Sequence, residues 1–323
     1  MVAATVGVVL LAAGVVAVRL PTEDGPPPSR VAVAANASPN PTMTTAPGSP
    51  VASDAPSPSM PTATSSVCVP LRQHTHLSVV TFNIHSARSQ DRTVDLARIV
   101  DALVEWSPDV VLLQEVDRGR LWTGRVDMPA VLGHRLGMDR TFGVNLRRSA
   151  VNQYGTAILS RYPILRARNL LLPAPSGTQQ RGLLHATIDA NGLLLSVYGT
   201  HLENTSAAAR LQQIRAIEPI LAADPWPVIF GGDLNASPTS KVVATARSQL
   251  TDTWRSVGRG PGSTAPARAP RTRIDYLLYR GAPGAEIEPL RARVRPRVVS
   301  DHLAVQATYR MSTKTTRVCV PEL

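Results

Sequence analysis

Lysine is nearly absent from this chain, aromatic residues are few, and there are only two cysteines. The 323 residues carry a net charge of +11, and arginine supplies almost all of the positive charge, lysine appearing only as Lys241 and Lys314. A surplus of that size either attracts polyanions such as nucleic acid, anionic lipid headgroups or phosphorylated small molecules, or is an ordinary solvated surface. Aromatics at 4% offer no aromatic loop for entering a membrane. Two cysteines and few histidines disfavour a zinc site. No fixed-period repeat is visible. The apolar content of 43% is ordinary for a globular protein, and the length suits one large domain or two smaller ones.

Val2 to Val18 is an almost unbroken apolar run without charge. It suits a signal peptide or a membrane anchor over 1–20, and a buried core helix is the bland alternative. Residues 21–66 are Pro, Ser, Thr and Ala with hardly a large apolar side chain, a composition that cannot offset its ordering entropy and is expected to form a disordered stalk. The folded domain is expected over 67–323. Cys68 and Cys319 bracket it, each within Val-Cys-Val-Pro, and are expected to form a disulfide joining its ends, which implies an oxidising, extracytoplasmic setting.

Within the domain, strands alternate with helices. Leu77–Ile84, Asp109–Val116, Thr156–Ser160, Leu183–Ile188, Leu193–Thr200, Val228–Phe230, Ile274–Tyr279 and Leu303–Tyr309 read as strands. Thr93–Trp106 and Ser206–Ala222 read as helices, and Asn191-Gly192 as a hairpin turn. This pattern predicts an α/β fold with mixed sheets. Arg255–Arg273 is the expected long loop, and Arg291–Arg297 is a second basic stretch.

The polar residues of interest sit at strand ends or in the turn beyond. Asn83 ends one apolar string and Glu115 another. His201 follows Val-Tyr-Gly-Thr, Asp233 and Asn235 follow Val-Ile-Phe-Gly-Gly, and Asp301-His302 precedes Leu-Ala-Val. Singly, each is more often a cap, a turn residue or a structural histidine. Jointly, carboxylates gathered at adjacent strand ends repel one another and call for a cation. Oxygen donors favour Mg²⁺ or Mn²⁺.

The strings Thr-Phe-Asn-Ile-His, Leu-Gln-Glu-Val-Asp, Tyr-Gly-Thr-Ala-Ile-Leu-Ser-Arg-Tyr-Pro, Gly-Thr-His-Leu, Gly-Gly-Asp-Leu-Asn-Ala-Ser-Pro, Arg-Ile-Asp-Tyr and Ser-Asp-His-Leu-Ala-Val occur in that order. Together they resemble the endonuclease/exonuclease/phosphatase superfamily. The resemblance implies a four-layer sandwich of two packed mixed β-sheets flanked by helices, and metal-dependent hydrolysis of phosphate esters. It implies that Glu115 is the main metal ligand, with Asn83 and Asp301 in support. Asp233 and Asn235 would position water and phosphoryl oxygens, and His302, oriented by Asp275, would be an acid/base or a phosphate donor. His201 would be a second donor, and Arg181 a contact to substrate phosphate. Arg147 and Arg148 are weaker candidates of the same kind. His85 stands where abasic-site endonucleases carry an acid, and Arg-Ile-Asp-Tyr-Leu-Leu lacks the inositol-polyphosphate 5-phosphatase pattern; both branches are disfavoured. The expected partner is a phosphate ester, nucleic acid included, with phospholipid or a small phosphorylated metabolite as the alternative. A membrane contact is expected if the N-terminal run is retained. No protein partner is implied and a monomer is expected. A catalytically inactive binding domain is the third reading, and the intact residue set speaks against it.

Overall fold

The computed structural model describes residues 66–71, 73–89, 93–313 and 316–321. The expected N-terminal segment over 1–20, and all but the last residue of the expected stalk over 21–66, lie outside them. In chain order come β1 (Ser66–Leu71), β2 (His74–Asn83), α1 (Leu96–Trp106), β3 (Val110–Arg118), α2 (Met128–Leu136), β4 (Asp139–Ser149), β5 (Asn152–Ser160), β6 (Ile164–Leu171), β7 (Gly182–Ala190) and β8 (Leu193–His201). Then follow α3 (Ala207–Ala222), β9 (Val228–Asp233), α4 (Lys241–Ala246), β10 (Thr251–Asp252), α5 (Thr253–Val257), β11 (Asp275–Arg280), β12 (Ala285–Val294), β13 (Val305–Thr313) and β14 (Thr316–Pro321).

Local chemistry sets the boundaries. Helix α1 begins later than its apolar spacing predicts because the Asp95 carboxylate accepts the backbone N–H groups of Ala97 and Arg98, and Ser107 ends it in a left-handed conformation ahead of Pro108. Ser206 caps α3 by accepting from the Ala209 N–H. Asn191 and Gly192, both at positive φ, turn β7 back onto β8 as the sequence predicts. The apolar pattern of the sequence does not predict β4, β6 and β12. They are sheet edges, with many exposed positions and no continuous apolar run to announce them. Part of the basic stretch Arg291–Arg297 is therefore strand, and part of the expected long loop after Arg255 is the helix α5.

Two six-stranded mixed sheets result, ordered β12-β13-β2-β3-β5-β4 and β10-β11-β9-β8-β7-β6. Alternation along each strand sends side chains to two faces, giving three apolar layers. Leu77, Val79, Val110 and Leu112 meet Leu195, Val197, Ile229 and Leu277 between the sheets. Val80, Phe82, Val111 and Leu113 face Ile99, Leu103 and Trp106 of α1 and Leu132 of α2. Tyr198, Val228, Phe230 and Leu278 face Ile214, Ile217 and Leu221 of α3. The order helix, sheet, sheet, helix is the predicted four-layer sandwich. Each sheet contains one parallel pair, β2 with β3 and β8 with β9. The C-terminal ends of β2, β8 and β9 carry Asn83, His201 and Asp233, the usual place for a ligand crevice in such sheets. In the β1–β14 ribbon, the backbone register sets Cys68 directly opposite Cys319.

Candidate active site

Asn83, His201 and Asp233 are the last residues of β2, β8 and β9, and Asp275 is the first of β11. The ladder pairs His201 with Asp233 and Asp233 with Asp275, so the three occupy one rung across the sheet. Asp233 arrives there through Gly232, whose φ is +143° and where a Cβ would lie 1.9 Å from the Thr200 carbonyl oxygen. Only glycine allows that approach. Glu115 sits at an irregularity in β3 between Leu113 and Val116, with φ at +56°. The bulge takes its carboxylate out of the ladder, a cost that strand ends carry mainly at functional sites. Asn235 is also left-handed, at +48°.

One oxygen is the focus. Asp233 Oδ2 accepts the Asn83 side-chain amide at 3.1 Å and lies 3.5 Å from His201 Nε2 and 3.8 Å from His302 Nε2. Asp233 Oδ1 accepts the Asn235 backbone N–H at 2.9 Å. The same Asn83 amide donates to Glu115 on the neighbouring strand at 3.0 Å, and its bond to Asp233 is the one that joins the two sheets. His302 Nδ1 is 2.9 Å from Asp275 Oδ2. Five of the expected residues, Asn83, Glu115, His201, Asp233 and Asn235, therefore meet through contacts of 3.5 Å or less, and the hydrogen-bonded pair of Asp275 and His302 adjoins them at 3.8 Å. Asp301 lies beside it, half exposed. Its Oδ1 accepts from the Ser300 hydroxyl, which lies 2.8 Å from the Asn83 carbonyl oxygen, and is 3.7 Å from His85 Nδ1.

Burial and charge set the protonation states. Burial opposes a charged His302, but the carboxylate of Asp275, with Asp233 and Asp301 further off, outweighs it and holds the imidazole up to about 10. Burial and the neighbouring Asp275 charge push the Asp233 carboxyl up, against His302 and the hydrogen bonds from Asn235 and Asn83. His201 is driven well below its ordinary value by burial and by the cations Arg181 and His302, so its ring is neutral.

Arg181, expected as a phosphate contact, is placed otherwise. It is 2% exposed. Its Nε is 3.6 Å from Glu203 Oε2, and Nη1 is 3.0 Å from His201 Nδ1. Arginine only donates, so Nδ1 must accept, and the one proton of the neutral ring lies on Nε2. The Asn235 amide nitrogen is 3.1 Å from that same Nε2 while donating to the Leu202 carbonyl. Two N–H groups thus face each other beside Asp233, an arrangement that an anionic oxygen would relieve. Glu203, which the sequence reading missed, is buried and held below the usual carboxylate range: hydrogen bonds from Thr205 and Gln179, with Arg181 near, outweigh its burial. No spacing in the chain singles it out. Arg147 and Arg148 are exposed at the end of β4.

A divalent cation fits this chemistry. Asp275 Oδ1 is buried without a hydrogen-bond partner, and the raised Asp233 shows a site short of positive charge. Among the described residues, one set of three ligand-type side chains, Asp233, Asp275 and His302, has ligand atoms within 4.8 Å of one another. It differs from the expected set of Glu115, Asn83 and Asp301. A protonated His302 bound to Asp275 is a poor ligand, which leaves the Asp233, Asp275 and Glu115 oxygens and one Asn83 lone pair, the other being taken by the His85 N–H.

The family model described as Endonuclease/Exonuclease/phosphatase family matches residues 80–302. Fission yeast (Schizosaccharomyces pombe) Protein cwh43 is 35% identical over 136 residues, 42% of this chain and 14% of that protein. Rat (Rattus norvegicus) Tyrosyl-DNA phosphodiesterase 2 is 25% identical over 196 residues, 59% of this chain and 50% of that one. The chain therefore spans half or less of the length of these curated relatives. Among solved structures, an endonuclease/exonuclease/phosphatase from Beutenbergia cavernae superposes with a TM-score of 0.59 at 28% identity, covering 73% of this chain and 71% of that one.

Proposed function

The chain belongs to the endonuclease/exonuclease/phosphatase family, and from that premise we propose that it is a divalent-metal-dependent phosphodiester hydrolase held outside the cytoplasmic membrane. The observation that carries the chemistry is the convergence of Asn83, His201 and the Asp275-bound His302 on one oxygen of Asp233. The names of the rat and other vertebrate relatives, tyrosyl-DNA phosphodiesterases, support a diester over a monoester. The apolar run at 2–18 and the register that sets Cys68 opposite Cys319 support the location.

Phosphoryl transfer to water depends on positioning and on stabilising charge at the non-bridging oxygens. Asp233, buried and with a raised affinity for a proton, orients water and accepts its proton. His201, through Nε2–H, and the Asn235 amide donate to phosphoryl oxygens. His302, kept charged by Asp275, also donates to the phosphate. Glu115, with one Asn83 lone pair and the unpartnered Asp275 Oδ1, would hold Mg²⁺ or Mn²⁺, which when bound neutralises developing charge on the phosphoryl and leaving oxygens. Arg181 does not touch substrate in this scheme; it positions His201.

The test is turnover of bis-p-nitrophenyl phosphate, plasmid DNA and a phospholipid by the full chain. Mg²⁺, Mn²⁺ and chelator are compared, with His302→Ala alongside. Hydrolysis that needs the metal and falls in the variant is expected. No turnover of any substrate with either metal removes the proposal. For location, surface proteolysis of intact source cells is expected to digest the domain, and full protection overturns that part.

A further inference from the structure

A groove of about 840 Å³ lies outside the catalytic group, between the segment that follows α5 and the end of β12. Arg259 comes from one wall. Arg291 and Arg293 come from the other, two residues apart on one strand and so on one face. Trp254 lines the same space, and no Asp or Glu does. None of these three arginines takes part in an ion pair or side-chain hydrogen bond among the described residues. Arg297 and Arg310, by contrast, hold Glu105 and Glu288. Arg295, next along the chain, is pushed below its usual value by burial and by Arg293 and Arg291, against Glu105, which shows how the positive charges crowd here. Uncompensated charge along a concave wall concentrates anions.

The indole of Trp254 is fixed. Its N–H donates to the Gly260 carbonyl at 3.1 Å, and a Cβ on Gly262 would lie 2.5 Å from its ring. The groove is also tied to the catalytic crevice. The Ala267 N–H donates to the Asp301 carbonyl at 2.7 Å, and the Leu303 N–H to the Thr264 carbonyl at 2.8 Å. The wall that carries Arg259 is thus hydrogen-bonded to the segment of Asp301 and His302.

We propose that this groove binds a single-stranded nucleic-acid segment, with its phosphates on Arg259, Arg291 and Arg293 and a base on Trp254, and leads the strand to the catalytic crevice. Spaced cations with a fixed aromatic ring in an open groove are the recurrent means of holding a strand without reading its sequence. A bilayer is a flat partner and does not fill a concavity. What happens to the strand after binding rests on the phosphodiesterase reading above; the binding itself does not.

The experiment is anisotropy of fluorescein-labelled oligodeoxythymidylate with the full chain in chelator, over a salt series. Wild type, Arg291→Glu/Arg293→Glu and Trp254→Leu are compared. Arg166→Glu/Arg168→Glu, exposed on β6 at the far edge of a sheet, makes the same change in net charge. The groove double variant is expected to bind about tenfold more weakly, with a salt slope flatter by about 1.4, at ~0.7 per single-strand phosphate contact. The β6 variant is expected to stay close to wild type, and Trp254→Leu to lose affinity without a change in slope. Equal weakening in both double variants means net charge alone acts, and overturns the proposal. So does unchanged binding in the groove variant. Hydrolysis of bis-p-nitrophenyl phosphate, measured in parallel, separates the readings. Strand binding without any ester hydrolysis sinks the function and keeps the groove, and the converse removes the groove alone.

Discussion

Arg181→Met is the most informative single change. The guanidinium is 2% exposed and Glu203 is 1% exposed, so the substitution removes one partner of a buried ion pair. That costs about 3–5 kcal/mol when the remaining charge is stranded. Glu203 is not fully stranded. Its Oε1 still accepts from the Thr205 N–H and hydroxyl, and Oε2 from the Gln179 N–H. The cost therefore falls at the low end, about 3 kcal/mol, which lowers the melting temperature by about 6–12 °C for a domain of this size. The second effect is catalytic. Without the donor at Nδ1, 3.0 Å away, the His201 ring is free to carry its proton there and to lose the Nε2–H that faces Asp233. A preorganised donor is worth about 10²–10³ in kcat when deleted outright; a misassigned tautomer is expected to cost on the order of ten- to a hundredfold, in kcat more than in KM. Arg181→Lys keeps a charge beside Glu203 but lacks the planar fork, so it is expected to recover melting temperature and not kcat. The assays are a thermal melt by circular dichroism and steady-state kinetics on bis-p-nitrophenyl phosphate. A methionine variant that melts with wild type and turns over at the wild-type rate refutes the argument.

Asp275→Asn removes the charge that, against burial, holds His302 up to about 10. His302 then loses its proton at lower pH, the alkaline limb of the kcat–pH profile moves down, and kcat falls by about 10²–10⁴; an unmoved limb counts against the dyad. His185 is a pH test away from the site, stacked on Tyr198 at 4.3 Å. Burial, with Arg168 and against Asp224, lowers it. Below its unfolded value of about 6.5 the unfolded chain takes up a proton that the folded one resists, so stability falls as pH drops through that value. Urea midpoints at about pH 7.5 and about pH 5.5 should separate less in His185→Gln than in wild type. Equal separation shows that His185 contributes nothing. Cys68 and Cys319, opposed in the β1–β14 register, are expected to be bonded in exported protein. Alkylation before and after reduction is read by mass, and two reactive thiols before reduction remove the bridge. Its loss in Cys68→Ser is worth up to about 5 kcal/mol in the chain-entropy model.

Much of this protein is readable without coordinates, because strand patterning and site chemistry are both local signals. Val-Ile-Phe-Gly-Gly-Asp shows an apolar strand, a close backbone approach and a carboxylate at its end within six residues. Glu115, Asp233, Asn235, Asp301 and His302 stand out for that reason, and Asn83 through the family strings. The edge strands β4, β6 and β12 are not, since one covered face and many arginines leave only a weak alternation. Pairing decides the rest. Only the register of β8 with β9 and of β9 with β11 puts His201, Asp233 and Asp275 in one row, and these registers join residues 32 and 42 positions apart in the chain. Arg181 shows the difference most clearly. In the sequence it is one arginine among many and the natural partner of a phosphate. Folding buries it against Glu203 and His201, and its lack of any acceptor decides which nitrogen of His201 carries the proton. The chain specifies which groups are present. Which groups touch, and therefore which are charged and which way each hydrogen bond runs, depends on burial and distance, and these exist only in the packed sheets.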